Sequence, residues 1–313
     1  MELIKFEEYI KKYNHKIVAT IGSFDGIHLG HQELIKMTVD KAKELKVYSA
    51  VITFDPHPLN VIANKNHSTI TSLSEKVQLI KTYGVDYLIL INFDEAFSKI
   101  SKIDFINNYL IKMNVSNLIV GSDFKFGYCG EGKAYEINIL SKGVINTTII
   151  DLIKYNDIKI GSSNIIKLLN EGALEEANAL LGYCYSFVGK VIRGKQIGRT
   201  MGFPTANIDN ENVKKILKTG VYGVNVYLDK DVYVGMMNIG HNPTCNFQEN
   251  ISIEINLFDL DIDLYDKSLK IECFCYVREE KKFNNADELI ERLKIDKEII
   301  RNKNLLLAKK WKK

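Results

Sequence analysis

Two histidines three residues apart in a glycine-rich loop are the first residues equipped for chemistry: Ile21-Gly22-Ser23-Phe24-Asp25-Gly26-Ile27-His28-Leu29-Gly30-His31. Gly22, Gly26 and Gly30 let backbone N–H groups approach an oxyanion closely. A helix opening near His31 offers free N–H donors and a positive dipole end, and both histidines can donate to phosphate oxygens. A tight surface turn with incidental histidines is the plainer alternative. The glycine spacing is not G-x-G-x-x-G, which argues against a dinucleotide-binding dehydrogenase. A second loop, Thr53-Phe54-Asp55-Pro56-His57-Pro58, brackets a histidine with prolines that fix its backbone; a turn with a solvated histidine fits it equally. A third, Gly121-Ser122-Asp123-Phe124-Lys125-Phe126-Gly127, carries Lys125, either a phosphate partner or solvated surface.

The densest stretch lies later, from Gly189 through Arg193, Gly194, Lys195, Gly198, Arg199 and Gly202 to Phe203-Pro204-Thr205-Ala206-Asn207. It is a basic, backbone-exposed loop that ends in oxygen donors. Hard cations such as Mg²⁺ take oxygen ligands and keep nucleotide phosphates as partners. Thr205 and Asn207, two apart, share one side of an extended segment. Further on, Ile251, Ile253, Ile255 and Leu257 alternate with Ser252, Glu254 and Asn256, so Glu254 points away from the apolar face of its strand. It is either a solvated edge carboxylate or a base facing a cleft. The polar run from Asn238 to Thr244 reads as a further loop or as an ordinary hairpin connection. Cys273 and Cys275 read as core filling.

These groups need elements to hold them. From Lys16 to about Asp151, apolar strand-like runs (KIVATIG, VYSAVITF, VDYLILINF, NLIVGSDF) alternate with helical patterns, which implies βαβ units and a parallel sheet. The three loops above all follow strands, where open α/β sheets place ligands. Ser162 to Leu181 reads as two short helices split at Gly172. The period then changes to strand-like runs without helices, which indicates an antiparallel barrel or sandwich. A final helical pattern has Leu289, Ile290, Leu293 and Ile295 on its apolar face. The boundary is placed at 184/185.

Length and composition agree with two globular domains. The chain has 313 residues, 46% apolar and 26% charged, and its formal charge of +3 is too balanced for a nucleic-acid or acidic-membrane surface to be its main business. Five cysteines without a C-x-x-C pair suggest neither a disulfide framework nor a zinc site. The N-terminus has no apolar h-region and no long apolar run occurs, so a cytoplasmic protein is expected.

The motifs carry a resemblance over essentially the whole chain. G-S-F-D-G-I-H-L-G-H, T-F-D-P-H-P and G-S-D-F-K-F-G resemble the FMN adenylyltransferase domain of bacterial bifunctional riboflavin kinase/FAD synthetases, a branch of the H-x-G-H nucleotidyltransferases. The glycine-rich run ending in G-F-P-T-A-N, then N-I-G-x-x-P-T, the glutamate strand with its D-L-Y, and V-R-E-E-K-K-F before a final helix resemble the riboflavin kinase domain. The resemblance implies a Rossmann-like α/β domain over 1–184 and an antiparallel β-barrel with a terminal helix over 185–313. It implies phosphorylation of riboflavin to FMN, then adenylylation of FMN to FAD with release of pyrophosphate. ATP would be the co-substrate and Mg²⁺ the metal; the partners would be riboflavin, FMN and ATP, with no nucleic acid and no membrane.

By the same resemblance His28 and His31 grip ATP phosphates, with Gly22, Phe24, Asp25, Gly26, Gly30, Ser162 and Ser163 around the nucleotide and Asp55, His57 and Asp123 toward the flavin. Thr205 and Asn207 hold the metal. Gly194, Lys195, Gly198, Arg199, Gly202 and Pro204 surround the second nucleotide, Glu254 is the general base, and Asn238 and Arg278 meet the flavin. The chain departs from the pattern at Gly161-Ser162-Ser163-Asn164-Ile165-Ile166: Ile166 stands where S-S-T-x-I-R has arginine, leaving Lys159 or Lys167 as the available cation. Smaller departures are Asn256 in place of a frequent histidine and Asp266 in place of the glycine after D-L-Y. The alternatives are a kinase with an impaired adenylyltransferase domain, or a non-catalytic flavin or nucleotide sensor, which would have no need of a metal-plus-base set.

Overall fold

The computed structural model describes residues 1–63, 68–151, 154–155, 158–193, 203–209, 217–241, 251–260, 262 and 264–310. They fall into two compact units, Met1–Asn164 and Ile165–Lys313.

In the first unit, β-branched runs such as Ile17–Ile21 are buried at every position, which is stable only in a sheet covered on both faces. The sheet has six strands: β1 (Glu2–Lys5), β2 (Ile17–Ile21), β3 (Tyr48–Asp55), β4 (Tyr87–Asn92), β5 (Val115–Gly121) and β6 (Asn146–Ile150). Their order is β1-β4-β3-β2-β5-β6, and every pairing is parallel. Helix α1 (Leu29–Leu45) buries Ile35, Thr38, Val39 and Ala42, the i, i+3, i+4, i+7 stripe of an amphipathic helix. Helix α2 (Leu73–Lys81) starts at a Ser72/Glu75 capping box. The chain winds outward from β2 through β3 to β4, then returns to the other side of β2 for β5. The crevice at this reversal, outside the carboxyl ends of β2 and β5, is where such sheets bind ligands. The edge strands β1 and β6 were not apparent in the sequence. β1 is four residues long, and β6 is mostly exposed, so neither shows a clean apolar run.

Helices α3 (Ser162–Glu171) and α4 (Leu174–Leu181) are split at Gly172 as the spacing predicts. The compact division falls ahead of the 184/185 boundary because α4 is fastened within the second unit. It buries Leu174, Ala177, Leu180 and Leu181; Asn178 donates to the Cys273 carbonyl at 2.9 Å and accepts from the Tyr185 N–H at 2.7 Å. The second unit is a closed antiparallel barrel of β7 (Ser186–Ile192), β8 (Ala206–Ile208), β9 (Gly220–Leu228), β10 (Asp231–His241), β11 (Ile251–Leu257) and β12 (Ser268–Arg278), ordered β7-β8-β11-β10-β9-β12. Closure gives every strand of the barrel a neighbour on each side. Cys273 and Cys275 are both buried in it.

Helix α5 (Ala286–Lys310) covers one side of the barrel, where Ile300 packs with Val221, Met236 and Phe274. Its buried stripe differs from the one expected. Ile295 is 47% exposed, and the face turned inward carries Leu293, Asp296, Ile300 and Leu307.

Candidate functional site

At the carboxyl ends of β2, β5 and β6 lies a cavity of about 490 Å³. Gly22, Phe24, His28, Gly30, His31, Asp123, Ser162 and Ser163 line it, so these sequence-selected residues share one cavity. His28 caps α1: its Nδ1 accepts from the His31 backbone N–H at 3.3 Å, and the two imidazoles stack with centroids 3.6 Å apart. A Cβ on Gly30 would meet the His28 ring at 3.3 Å, so only glycine leaves the imidazole its full space. Burial pushes His28 down to about 4 and His31 well below the ordinary histidine range, so both are neutral at pH 7. An Nδ1 that accepts places the His28 proton on Nε2. His31 Nδ1 is buried without a hydrogen-bond partner among the described residues, a polar group still to be satisfied.

The loop before this helix is strained, with Phe24 at φ 48°, Gly26 at φ 77° and Ile27 at φ 35°. Three side chains hold it. The buried Asp25 carboxylate accepts from the Ile70 N–H at 2.9 Å and from the Thr71 N–H at 3.0 Å. Ser162 Oγ donates to the Asp25 carbonyl at 2.9 Å, and Lys76 Nζ to the Ser23 carbonyl at 2.6 Å. Asp25 and Gly26 are therefore part of the frame behind the cavity, not of its wall, because their polar groups are engaged with the 70–71 segment. Lys76 was missed in the sequence. It is 6% exposed, its burial lowers its pKa, and Asp25 and Asp55 oppose that shift. Its only signal was its place four residues before the fully buried Ile80 on an amphipathic helix.

Lys159 is the only lysine or arginine among the described residues of the cavity wall, 3.4 Å from Asp123. Lys167 pairs with Glu171 at 3.9 Å and Ile166 is partly buried, and neither is among the lining residues. Asp55, His57 and Lys125 are also absent from it. Asp55 is exposed, at the end of β3, and His57 caps the short helix Pro58–Ile62 by accepting from the Leu59 N–H at 3.3 Å. Phe124, Ile150 and Asp151 line the cavity without having been singled out, because their place depends on strand order.

In the barrel, Asn207 stands opposite Glu254, Glu254 opposite Asn238, Asn238 opposite Val221, and Val221 opposite Arg278. Directly opposed residues of antiparallel strands share a sheet face, so four selected residues lie on one rung across five strands. Glu254 is half-buried between the buried Ile253 and Ile255. Its carboxylate accepts from the Thr205 hydroxyl at 3.4 Å, and Asn256 Nδ2 fixes the Pro204 carbonyl at 2.7 Å. The hydroxyl and amide oxygens of Thr205 and Asn207 are donors that suit a hard divalent cation, and the Glu254 carboxylate stands beside them. Gly194, Lys195, Gly198, Arg199, Gly202 and the segment from Asn242 to Thr244 lie outside the described residues.

A parallel-sheet unit with a histidine-lined crevice and a barrel with an oxygen-donor rung fit a transferase of phosphorus-containing groups. Comparison with known proteins agrees with that class. The FAD synthetase family model matches residues 10–164 and the riboflavin kinase model residues 181–304. Bifunctional riboflavin kinase/FMN adenylyltransferases are 38% identical in Listeria monocytogenes, over 90% of this chain and 90% of that protein, and 39% identical in Bacillus subtilis, over 92% and 93%. The one from Escherichia coli K12 is 33% identical, over 87% and 88%. A solved Streptococcus pneumoniae structure, named a macrolide-efflux protein, is 28% identical with a TM-score of 0.87, covering 96% of this chain and 99% of that one. Among the described residues, no helix is long and apolar enough to cross a membrane. The chain belongs to the bifunctional riboflavin kinase/FMN adenylyltransferase family.

Proposed function

We propose that the chain makes FAD from riboflavin in two ATP-dependent steps, riboflavin to FMN at the barrel and FMN to FAD at the crevice of the first unit. The observation that carries this reading is that each family-matched unit gathers a polar site of its own: the rung through Glu254, and the stacked histidines at the β2/β5 crevice.

In the kinase step Glu254 accepts the proton of the riboflavin 5′-hydroxyl as its oxygen bonds to the γ-phosphorus of ATP, and ADP leaves. Thr205 and Asn207 would hold Mg²⁺, which would neutralise phosphate charge. Asn238 and Arg278, farther along the rung, meet the flavin. In the adenylylation step an FMN phosphate oxygen bonds to the α-phosphorus of ATP and pyrophosphate leaves. That nucleophile is already ionised and needs no base. His28 Nε2–H, the His31 imidazole, the α1 amides and Ser163 donate to the oxygens on which charge builds, and Lys159 turns from Asp123 to the phosphates.

The test is incubation of the purified chain with riboflavin, ATP and Mg²⁺, followed by chromatographic separation of the flavins. FMN appearing first and FAD after it is the expected result. FMN accumulating without FAD would restrict the chain to the kinase step and point to Ile166 as the cause.

A further inference from the structure

Helix α5 carries a carboxylate with no exposed surface, Asp296, between two guanidiniums. Arg278 Nε lies 2.8 Å from Asp296 Oδ2 as an aligned hydrogen bond. Arg292, one turn earlier on the same helix, comes within 3.0 Å of Oδ1, but neither of those two atoms gains a hydrogen bond. The directional bond therefore goes to the barrel residue. Docking a helix on a barrel does not require such a group: the rest of the stripe is apolar, and a buried ion cluster seldom stabilises more than apolar residues of equal volume. What the carboxylate does supply is a fixed orientation for Arg278. The Glu279 carbonyl accepts from Arg278 Nη1 at 3.0 Å, and the Phe283 ring lies 5.7 Å from the guanidinium carbon, so the group is held from several sides.

The register shows what that orientation serves. Arg278 ends the rung that passes through Glu254 and Asn238. With strands about 4.8 Å apart, its Cα lies about 14 Å along the barrel surface from that of Glu254. A ligand whose hydroxyl is at Glu254 and whose planar ring extends along the rung ends at this guanidinium. We infer that Asp296 is a positioning residue for flavin recognition, fixing the Arg278 fork from the terminal helix and so setting affinity for riboflavin without touching it. This rests on the reading of Arg278 as a flavin contact.

The experiment measures the kinase KM for riboflavin and for ATP, kcat, and riboflavin affinity by flavin fluorescence, in the full-length chain and in Arg278→Met, Asp296→Asn, their double variant and Arg292→Met. The expected result is a rise of roughly tenfold in riboflavin KM and Kd for Asp296→Asn, the size of one charge-assisted contact. ATP KM and kcat should stay within about twofold, the double variant should be no worse than Arg278→Met, and Arg292→Met should be near wild type. Asp296→Glu keeps the charge but displaces the carboxylate by a methylene; it should raise riboflavin KM in the same way and serves if the asparagine variant does not fold. An unchanged riboflavin KM, an equal rise in both substrates' KM, or additive losses in the double variant would overturn the inference. An unchanged riboflavin KM in Arg278→Met would overturn the flavin reading of Arg278 itself.

Discussion

His28 and His31 lie ring on ring, 3.6 Å between centroids and 15° from parallel, at the start of one helix. Two imidazolium ions would repel at that separation. Burial keeps both rings neutral, with His28 pushed down to about 4. The unfolded chain, with histidine near 6.5, takes up the proton first as pH falls. The stability from the neutral ring is therefore complete above about pH 6.5 and is lost between there and pH 4, amounting to about 3 kcal/mol for His28. The unfolding free energy of wild type relative to His28→Gln should fall by about that amount between pH 7 and pH 4. Denaturant titrations at the two pH values measure it, and a constant difference would contradict the neutral-pair reading.

The two chemistries should separate by substitution. Glu254→Gln keeps the shape of the rung but removes the proton acceptor, and should lower FMN formation by about 10²- to 10⁴-fold while leaving FMN-to-FAD conversion intact. His31→Ala should do the reverse. Normal kinase turnover in the first variant, or normal FAD output in the second, would remove that residue from its step.

Lys159 lines the cavity, whereas Lys167 is not among its lining residues and pairs with Glu171. Loss of one cation-to-phosphate contact is worth about 1.5 to 3 kcal/mol, so Lys159→Met should reduce kcat/KM for FAD formation by roughly 10- to 100-fold. Lys167→Met should remain within about twofold. Steady-state rates with FMN and ATP decide between them, and equal effects would mean that Lys159 has no special place.

Asp25 acts by holding the strained loop to residues 70 and 71. Asp25→Asn exchanges charge-assisted bonds for neutral ones, and Lys76→Met leaves the Ser23 carbonyl without the lysine donor. Each should cost about 1 to 3 kcal/mol and slow FAD formation while sparing the kinase. Chemical denaturation and the two assays test this; full stability together with full FAD output would show that the loop needs neither anchor.

Much of the molecule could be read from the chain itself. Unbroken β-branched runs separated by helical stripes define a doubly covered parallel sheet, because only burial on both faces tolerates them. Alternation through Ile251, Ile253 and Ile255 turns Glu254 off the barrel interior, and glycines beside His28 mark where backbone and ring approach closely. Three things came only from the tertiary structure. Strand order decided that the ends of β2, β5 and β6 share a crevice, which Asp151 and Lys159 also line. Register decided that Asn207, Glu254, Asn238 and Arg278 fall on one rung, since pairing between distant strands leaves no mark in local sequence. Partner geometry decided that Lys76 and Asp296 are buried, each four residues before a fully buried isoleucine. Periodicity assigns charged residues to solvent, and only a waiting carbonyl or guanidinium from another element offsets the cost of burying them.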